Sequence, residues 1–441
     1  MGDGITRAHG LGGASDLPIS PSLAIAGAVA ALIISFGVLV LAWRTPRYAA
    51  ATSGRPAPVW LAQLVDSRGF RISLRVAGFV VFLYAAMVAI LGGDLETNPF
   101  FGLFYVWWWI GLVPLSLLFG PVWKAISPVR TINTVFARLS GSDPDRGVFD
   151  YPERLGYWPA AVGLFAFVWL ELVYPFQTDL GPVRLWAAAY VAVMLLGGAL
   201  FGSTFYARAD PFEVYSSLVA KLSVWGRRGE LLVVRSPLAN LDTTVVRPGL
   251  VAVVAVLFGS TAFDSFRSSQ PWVKLIQSSN VSGNLLNNLA LLGFCVGVGL
   301  IFAVGCMLTG VGSERRRTEL PNLLAHSVVP IVAGYVVAHY LTYLFEVGQR
   351  TLIQVSDPFG NGQDLFGTGD WQVNYWLSYH PTTLANIKVA AVVIGHVVAV
   401  VAAHDRAISL LPTKHQVVGQ LSLLVAMICF TAGGLYLLFA A

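Results

Sequence analysis

Charge is scarce in this chain: Asp, Glu, Lys and Arg supply 12% of its residues and hydrophobic types 56%, where a soluble globular domain carries roughly 25% charged residues. That balance excludes a fully solvated surface and is the composition of an integral membrane protein. Cysteine is rarer still. Cys295, Cys306 and Cys429 all lie inside apolar runs with no CxxC spacing, so neither a zinc or thiol-redox motif nor a disulfide framework fits. The five methionines form no cluster, which argues against a thioether path for copper. A P-loop, a GxGxxG or GxSxG in a fitting context and an HExxH are also missing. The formal charge of +5 comes from basic residues in short clusters between apolar runs, so it reads as a membrane orientation signal and not as a nucleic-acid surface.

What the chain has in abundance is long apolar segments. About 20 apolar residues at 1.5 Å per residue cross ~30 Å of hydrocarbon. Runs near 20-43, 76-93, 101-120, 157-175, 183-205, 249-264, 287-310, 322-347, 383-404 and 416-439 meet that length or approach it. The expected fold is therefore all-α, a polytopic bundle of about ten spans. The first run follows Asp3, Arg7 and Asp16 and is longer than a signal-peptide core without a clear small-x-small cleavage site, so a retained helix is expected. Three regions follow: 1-99 with two spans, 100-265 with repeated units, and 266-441 with a His-containing bundle and an outer loop over 350-381.

Lys and Arg set the expected orientation. Alternate loops hold 22 of the 28 basic residues, which places those loops in the cytoplasm and both termini outside. An internal echo lies between spans. Ser127-Pro128 through Ser140 matches Asp210-Pro211 through Ser223 at a constant offset of 83, each copy opening with a capping residue before a Pro at the first helical position. The pattern predicts two units of helix, amphipathic helix, helix over 101-175 and 183-264, in parallel orientation. Two unrelated helices with similar caps would read the same way. Between the sixth and seventh spans, Phe266 to Asn284 reads as an interfacial loop anchored by Trp272, and Gly293 with Gly297 forms a GxxxG of the kind used for close helix packing.

Ionisable groups at membrane depth are the candidate site, because each costs several kcal/mol unless paired or hydrated. Leu323 to Gln349 spans a bilayer yet carries His326, His339 and Glu346, the last two seven residues apart and so on one helical face. Glu171 and Asp264 fall near the outer ends of the fourth and sixth spans. An outer cluster of His339, Asp264 and Glu171 would suit acid-base chemistry, and His339, Asp264 and Glu346 would give the nitrogen and oxygen ligands of a divalent metal. An inner set, His326, His396 and His404, would suit haem or simple hydrogen bonds between helices. Each acid has an interfacial reading, His404 has one as a solvated edge residue beside Asp405 and Arg406, and Asp357 and His380 have one as loop structure.

Several stretches carry a family resemblance: Asp210-Pro211-Phe212-Glu213-Val214-Tyr215, Gly259-Ser260-Thr261-Ala262-Phe263-Asp264, His326-Ser327-Val328-Val329-Pro330-Ile331 through Ala338-His339-Tyr340, Ser356-Asp357-Pro358-Phe359-Gly360, and Gly395-His396 through Ala403-His404-Asp405-Arg406. With these the chain, from about residue 100 onward, resembles a family of multi-pass, largely actinobacterial membrane proteins labelled fenitrothion hydrolase. The label implies hydrolysis of an apolar organophosphate triester and assigns no catalytic residue. Two expectations stand. One is a membrane hydrolase with His339 as base or ligand and Asp264 and Glu171 beside it, its apolar substrate entering from the bilayer. The other is a transporter, or a membrane partner of a redox or transport assembly, using the His and acid groups for ions, protons or haem.

Overall fold

The computed structural model describes residues 17-309, 316-412, 416 and 418-439; Asp3, Arg7 and Asp16 lie outside them. The chain is an all-α membrane bundle. Among the described residues, eight helices are long and apolar enough to cross a bilayer, and a ninth span is made if the bent pair Pro99–Ile110 and Leu112–Phe119 counts as one. Over their described residues all ten expected runs are largely helical, but Trp158–Leu172 has only 15 residues, about 22 Å of helix against ~30 Å of hydrocarbon. The bent pair turns by 41°. Its first part is π-helical over Gly102–Ile110, closing with Gly111 N–H donating to Val106 O, and a π segment is a recognised cause of such a kink.

Two compact units interleave in sequence. One holds Arg55–Val234 and Thr342–Tyr375; the other holds 17-54, 235-341 and 376-439.

In the first unit the echoed segments have closely similar local structure. Leu118-Phe119-Gly120 and Leu200-Phe201-Gly202 each end a long helix on a glycine at positive φ, 85° and 64°. A short helix follows, Val122–Ile126 or Ser203–Ala209, and then the Pro-started helix, Pro128–Leu139 or Pro211–Val219. Ser127 accepts from the Arg130 N–H, and Asp210 from the Phe212 and Glu213 N–H groups, so both capping expectations hold.

The two segments also grip each other through matching positions. Arg130 and Glu213, related by the offset of 83, form a bidentate ion pair with Nε–Oε2 at 2.5 Å and Nη2–Oε1 at 2.7 Å. Trp123 of the first segment donates to the Asp210 cap of the second, and Tyr206 of the second donates to Val129 O of the first. Around them Trp108, Trp109, Phe167, Trp186, Tyr190 and Phe212 stack edge and face, with 4.1 Å between the Trp108 and Phe212 centroids. Such aromatic contacts add about 0.5–1.5 kcal/mol per pair beyond area burial. The same unit holds a small antiparallel sheet in the order Arg55–Pro56, Leu231–Val234, Trp225–Arg228.

The second unit is built around Leu250–Arg267, a helix buried on nearly every side, as its all-round hydrophobicity dictates. It starts after Gly249 at φ 85° and runs along Gly283–Met307. The close approach is made by Gly259, where a Cβ would come 2.6 Å from the Cys295 Cα. The expected GxxxG does not serve this purpose: Gly293 and Gly297 have nothing within 4 Å, because they sit on an open face of their helix. A second close crossing pairs Gly334 with Gly395, whose Cα atoms lie against each other's backbone. Phe266 to Asn284 is not a loop. It folds into the helix Gln270–Ser278, and Trp272 is buried with its indole N–H donating to Asn287 Oδ1.

Candidate functional site

Asp264 sits in the last turn of its helix, three residues before Arg267. The i, i+3 spacing puts both on one face, and the Arg267 Nε donates to Asp264 Oδ1 at 2.8 Å. The positive side chain also suits the negative end of the helix dipole. From the neighbouring helix Val329–Thr342, Tyr335 and His339 project one turn apart and Tyr340 follows. His339 Nε2 and the Tyr340 hydroxyl each donate to Asp264 Oδ2 at 2.9 Å. His339 Nδ1 lies 3.1 Å from Ser265 Oγ, and the Tyr335 hydroxyl donates to that same oxygen at 3.0 Å. All of these side chains except Arg267 are buried.

The donors converging on Asp264 match the acceptor capacity of an ionised carboxylate. With Asp264 ionised, His339 Nε2 carries a proton, and the state of Nδ1 is then set by the hydroxyls. When Nδ1 is bare, Ser265 donates to it and accepts from Tyr335. When Nδ1 is protonated it donates to Ser265 Oγ, Ser265 turns to the Thr261 carbonyl at 3.3 Å, and Tyr335 turns to the Gly434 carbonyl at 3.4 Å. Two hydroxyl rotations thus satisfy the network with His339 neutral or charged. Few buried histidines have this latitude, since an unsatisfied buried polar group costs ~1–3 kcal/mol.

Of the expected outer cluster, the two members in the second unit are in contact. Asp264 and His339 meet as expected, while Glu171 and Glu346 belong to the first unit. Glu171 is buried there, within electrostatic reach of Tyr105 and Tyr215. Glu346 lies in a π-helical stretch, Tyr343–Val347, that follows the His339 helix. Its i→i+5 bonding widens the turn there. Among the described residues no three His, Cys, Asp or Glu side chains group as metal ligands, so the set His339, Asp264 and Glu346 is not formed.

The inner histidines each have hydrogen bonds of their own. His404 is no solvated edge: it is buried, with Nδ1 on Gln420 Oε1 and Nε2 on Trp43 O. Asp405 beside it accepts from the Trp43 indole and from the Arg47 and Tyr48 N–H groups, so the segment after the first helix folds over both residues. Neither His404 nitrogen is left for iron. His396 donates from Nδ1 to Val392 O one turn back and has a buried Nε2 without a hydrogen-bond partner among the described residues; His326 bonds the Leu323 backbone.

In the 350-381 loop, Asp357 accepts from the Asn361 and Gly362 N–H groups, and these backbone donors, Gly362 first, hold its carboxyl below the usual range. It shapes a turn, as Asp364 does with Thr368 and Gly369. His380 stacks on Trp376 and bonds its carbonyl.

Residue-by-residue reading missed Ser265, Tyr335, Tyr340 and Arg267. Their signal was present as helical spacing: Tyr335 lies four before His339 and Arg267 three after Asp264. No family model, curated protein or solved structure matches the chain.

Proposed function

We propose that the Asp264–His339 pair is a reversible proton-binding site, and that the protein is a transporter or the membrane subunit of a transport or redox assembly that uses it. The carrying observation is the two-way hydroxyl relay through Ser265 and Tyr335, which leaves His339 satisfied in both charge states. Asp264 is the fixed counter-ion, held by Arg267 and Tyr340. Buried acids beside histidines in membrane spans are the usual form of such sites. The positive-inside count favours both termini outside and Arg267 towards the outer face, and the family resemblance favours a bacterial plasma membrane.

Infrared difference spectra of the full chain in nanodiscs, taken across pH steps with ring-labelled histidine, test the assignment. Imidazole bands that titrate together with tyrosine hydroxyl bands, and vanish in His339→Phe, are expected. A His339 silent at every pH at which the protein stays folded rules the reading out.

A second reading rests on a different contact. Ser265, His339 and Asp264 form a hydroxyl, imidazole, carboxylate series, and the resemblance to the fenitrothion hydrolase family favours hydrolysis of an apolar ester or phosphotriester, with His339 as general base. It is the weaker reading because Ser265 sits inside a regular helix, where backbone N–H groups are engaged and cannot serve as oxyanion donors. Labelling of Ser265 by a fluorophosphonate, abolished in Ser265→Ala, would decide for it; no labelling and no triester turnover would remove it.

A further inference from the structure

Two stripes of arginine face one another in the first unit. On Arg68–Leu91, Arg71, Arg75 and Gly78 share a face at i, i+4 and i+7. Gly78 lies so close to Ile126 that a Cβ would meet its carbonyl oxygen at 2.0 Å, which brings this face against the junction between Val122–Ile126 and Pro128–Leu139. On Pro128–Leu139, Arg130, Thr134 and Arg138 make the matching stripe. Arg71, Arg130 and Arg138 all act electrostatically on the half-buried Arg75, and Asp145 is the acid that opposes them there.

The other charges nearby are already engaged. Arg130 is taken by Glu213 in both arms of its fork, and Arg71 donates to the Ser67 and Asp66 carbonyls that end the preceding helix. Arg75 and Arg138 have no carboxylate hydrogen-bond partner among the described residues. Like charges gathered this closely repel unless an anion joins them. The setting indicates which anion. Arg71 and Arg75 lie in the first two turns of a membrane-crossing helix, and around the cluster Ile72, Val76, Val135, Phe136 and Leu139 are exposed apolar side chains suited to acyl chains.

We infer that Arg75 and Arg138 bind the phosphate of an anionic phospholipid at this membrane face, the acyl chains lying against Val76, Phe136 and Leu139. Basic pockets between helices at the headgroup level recognise such lipids, and each Arg contributes about 1 kcal/mol near an anionic surface, roughly fivefold in affinity.

The test titrates short-chain phosphatidylglycerol into the purified full chain in zwitterionic detergent, with inorganic phosphate in a parallel arm and thermal unfolding plus native mass spectrometry as readouts. Phosphatidylglycerol should bind and raise the unfolding temperature, while inorganic phosphate at equal concentration should not. Arg138→Gln, an exposed position that leaves the fold intact, should weaken binding about fivefold, and Arg75→Gln with Arg138→Gln on the order of twenty-five-fold. Arg228→Gln, exposed on the small sheet, should leave it unchanged. Unaltered binding in Arg138→Gln, an equal effect of inorganic phosphate, or an equal loss in Arg228→Gln would each overturn the assignment.

Discussion

Replacing Arg130 by Met, Glu213 by Leu, and then both, isolates the ion pair that joins the two echoed segments. The pair is well shielded: side-chain exposure is 14% for Arg130 and 2% for Glu213, and Arg130 also donates to Ser203 O at 3.1 Å. Removing one partner of a buried pair strands the other charge, which costs ~3–5 kcal/mol. Arg130→Met should reach the top of that range, because Glu213 has almost no path to water and lies within electrostatic reach of Asp210. Glu213→Leu should fall near the bottom, since the more exposed guanidinium can swing outward. The double replacement exchanges the charges for apolar side chains of similar volume, and such exchanges are often neutral or stabilising. It should therefore be more stable than either single variant, with a coupling of several kcal/mol. The assay is equilibrium unfolding in mixed detergent micelles, followed by circular dichroism and Trp fluorescence, with all four proteins at one pH and salt. If both single replacements cost less than ~1 kcal/mol, or the double equals their sum, the pair is a solvated surface bridge and the reasoning from its burial fails.

Further outcomes follow from other parts of the molecule. Asp210 is fully buried, and burial, with the Glu213 charge next, raises its carboxyl to about 7. A carboxyl raised on folding binds protons more tightly in the native state, so its contribution is complete below the ordinary value near 4 and is lost as pH rises towards 7. Unfolding free energy should fall over that window by up to ~4 kcal/mol, and Asp210→Asn, which keeps the cap acceptor, should flatten the fall; an unchanged pH profile contradicts the burial argument. Gly259→Leu should abolish folding or cost more than ~3 kcal/mol, since its Cβ meets helix backbone that cannot yield. Gly293→Leu should stay within ~0.5 kcal/mol of wild type, and similar yields and melting points for the two variants would refute the packing described here.

The sequence by itself determined the class of the molecule. Segments near 20-43, 183-205 and 383-404 had to become spanning helices, because backbone polar groups in hydrocarbon are satisfied only within such structures. It determined the capped starts at Pro128 and Pro211 as well, since a cap is a local bond between neighbours three residues apart at most. It also contained the Asp264–Arg267 and Tyr335–His339 spacings, which are intrahelical. Only the tertiary structure decided which helices meet. The pairing of His339 with Asp264 and Ser265 depends on the packing of two helices more than sixty residues apart in the chain, and no periodicity encodes that. The same holds for the glycines: Gly259 and Gly293 look alike in sequence, and their opposite roles follow from which face of a helix another backbone reaches. His404 shows the converse error, because depth along a helix was legible and the segment from Trp43 to Tyr48 that covers it was not. The π turn at Tyr343–Val347 is equally a tertiary matter, because its i→i+5 hydrogen bonds are a choice of backbone packing that side-chain spacing does not fix.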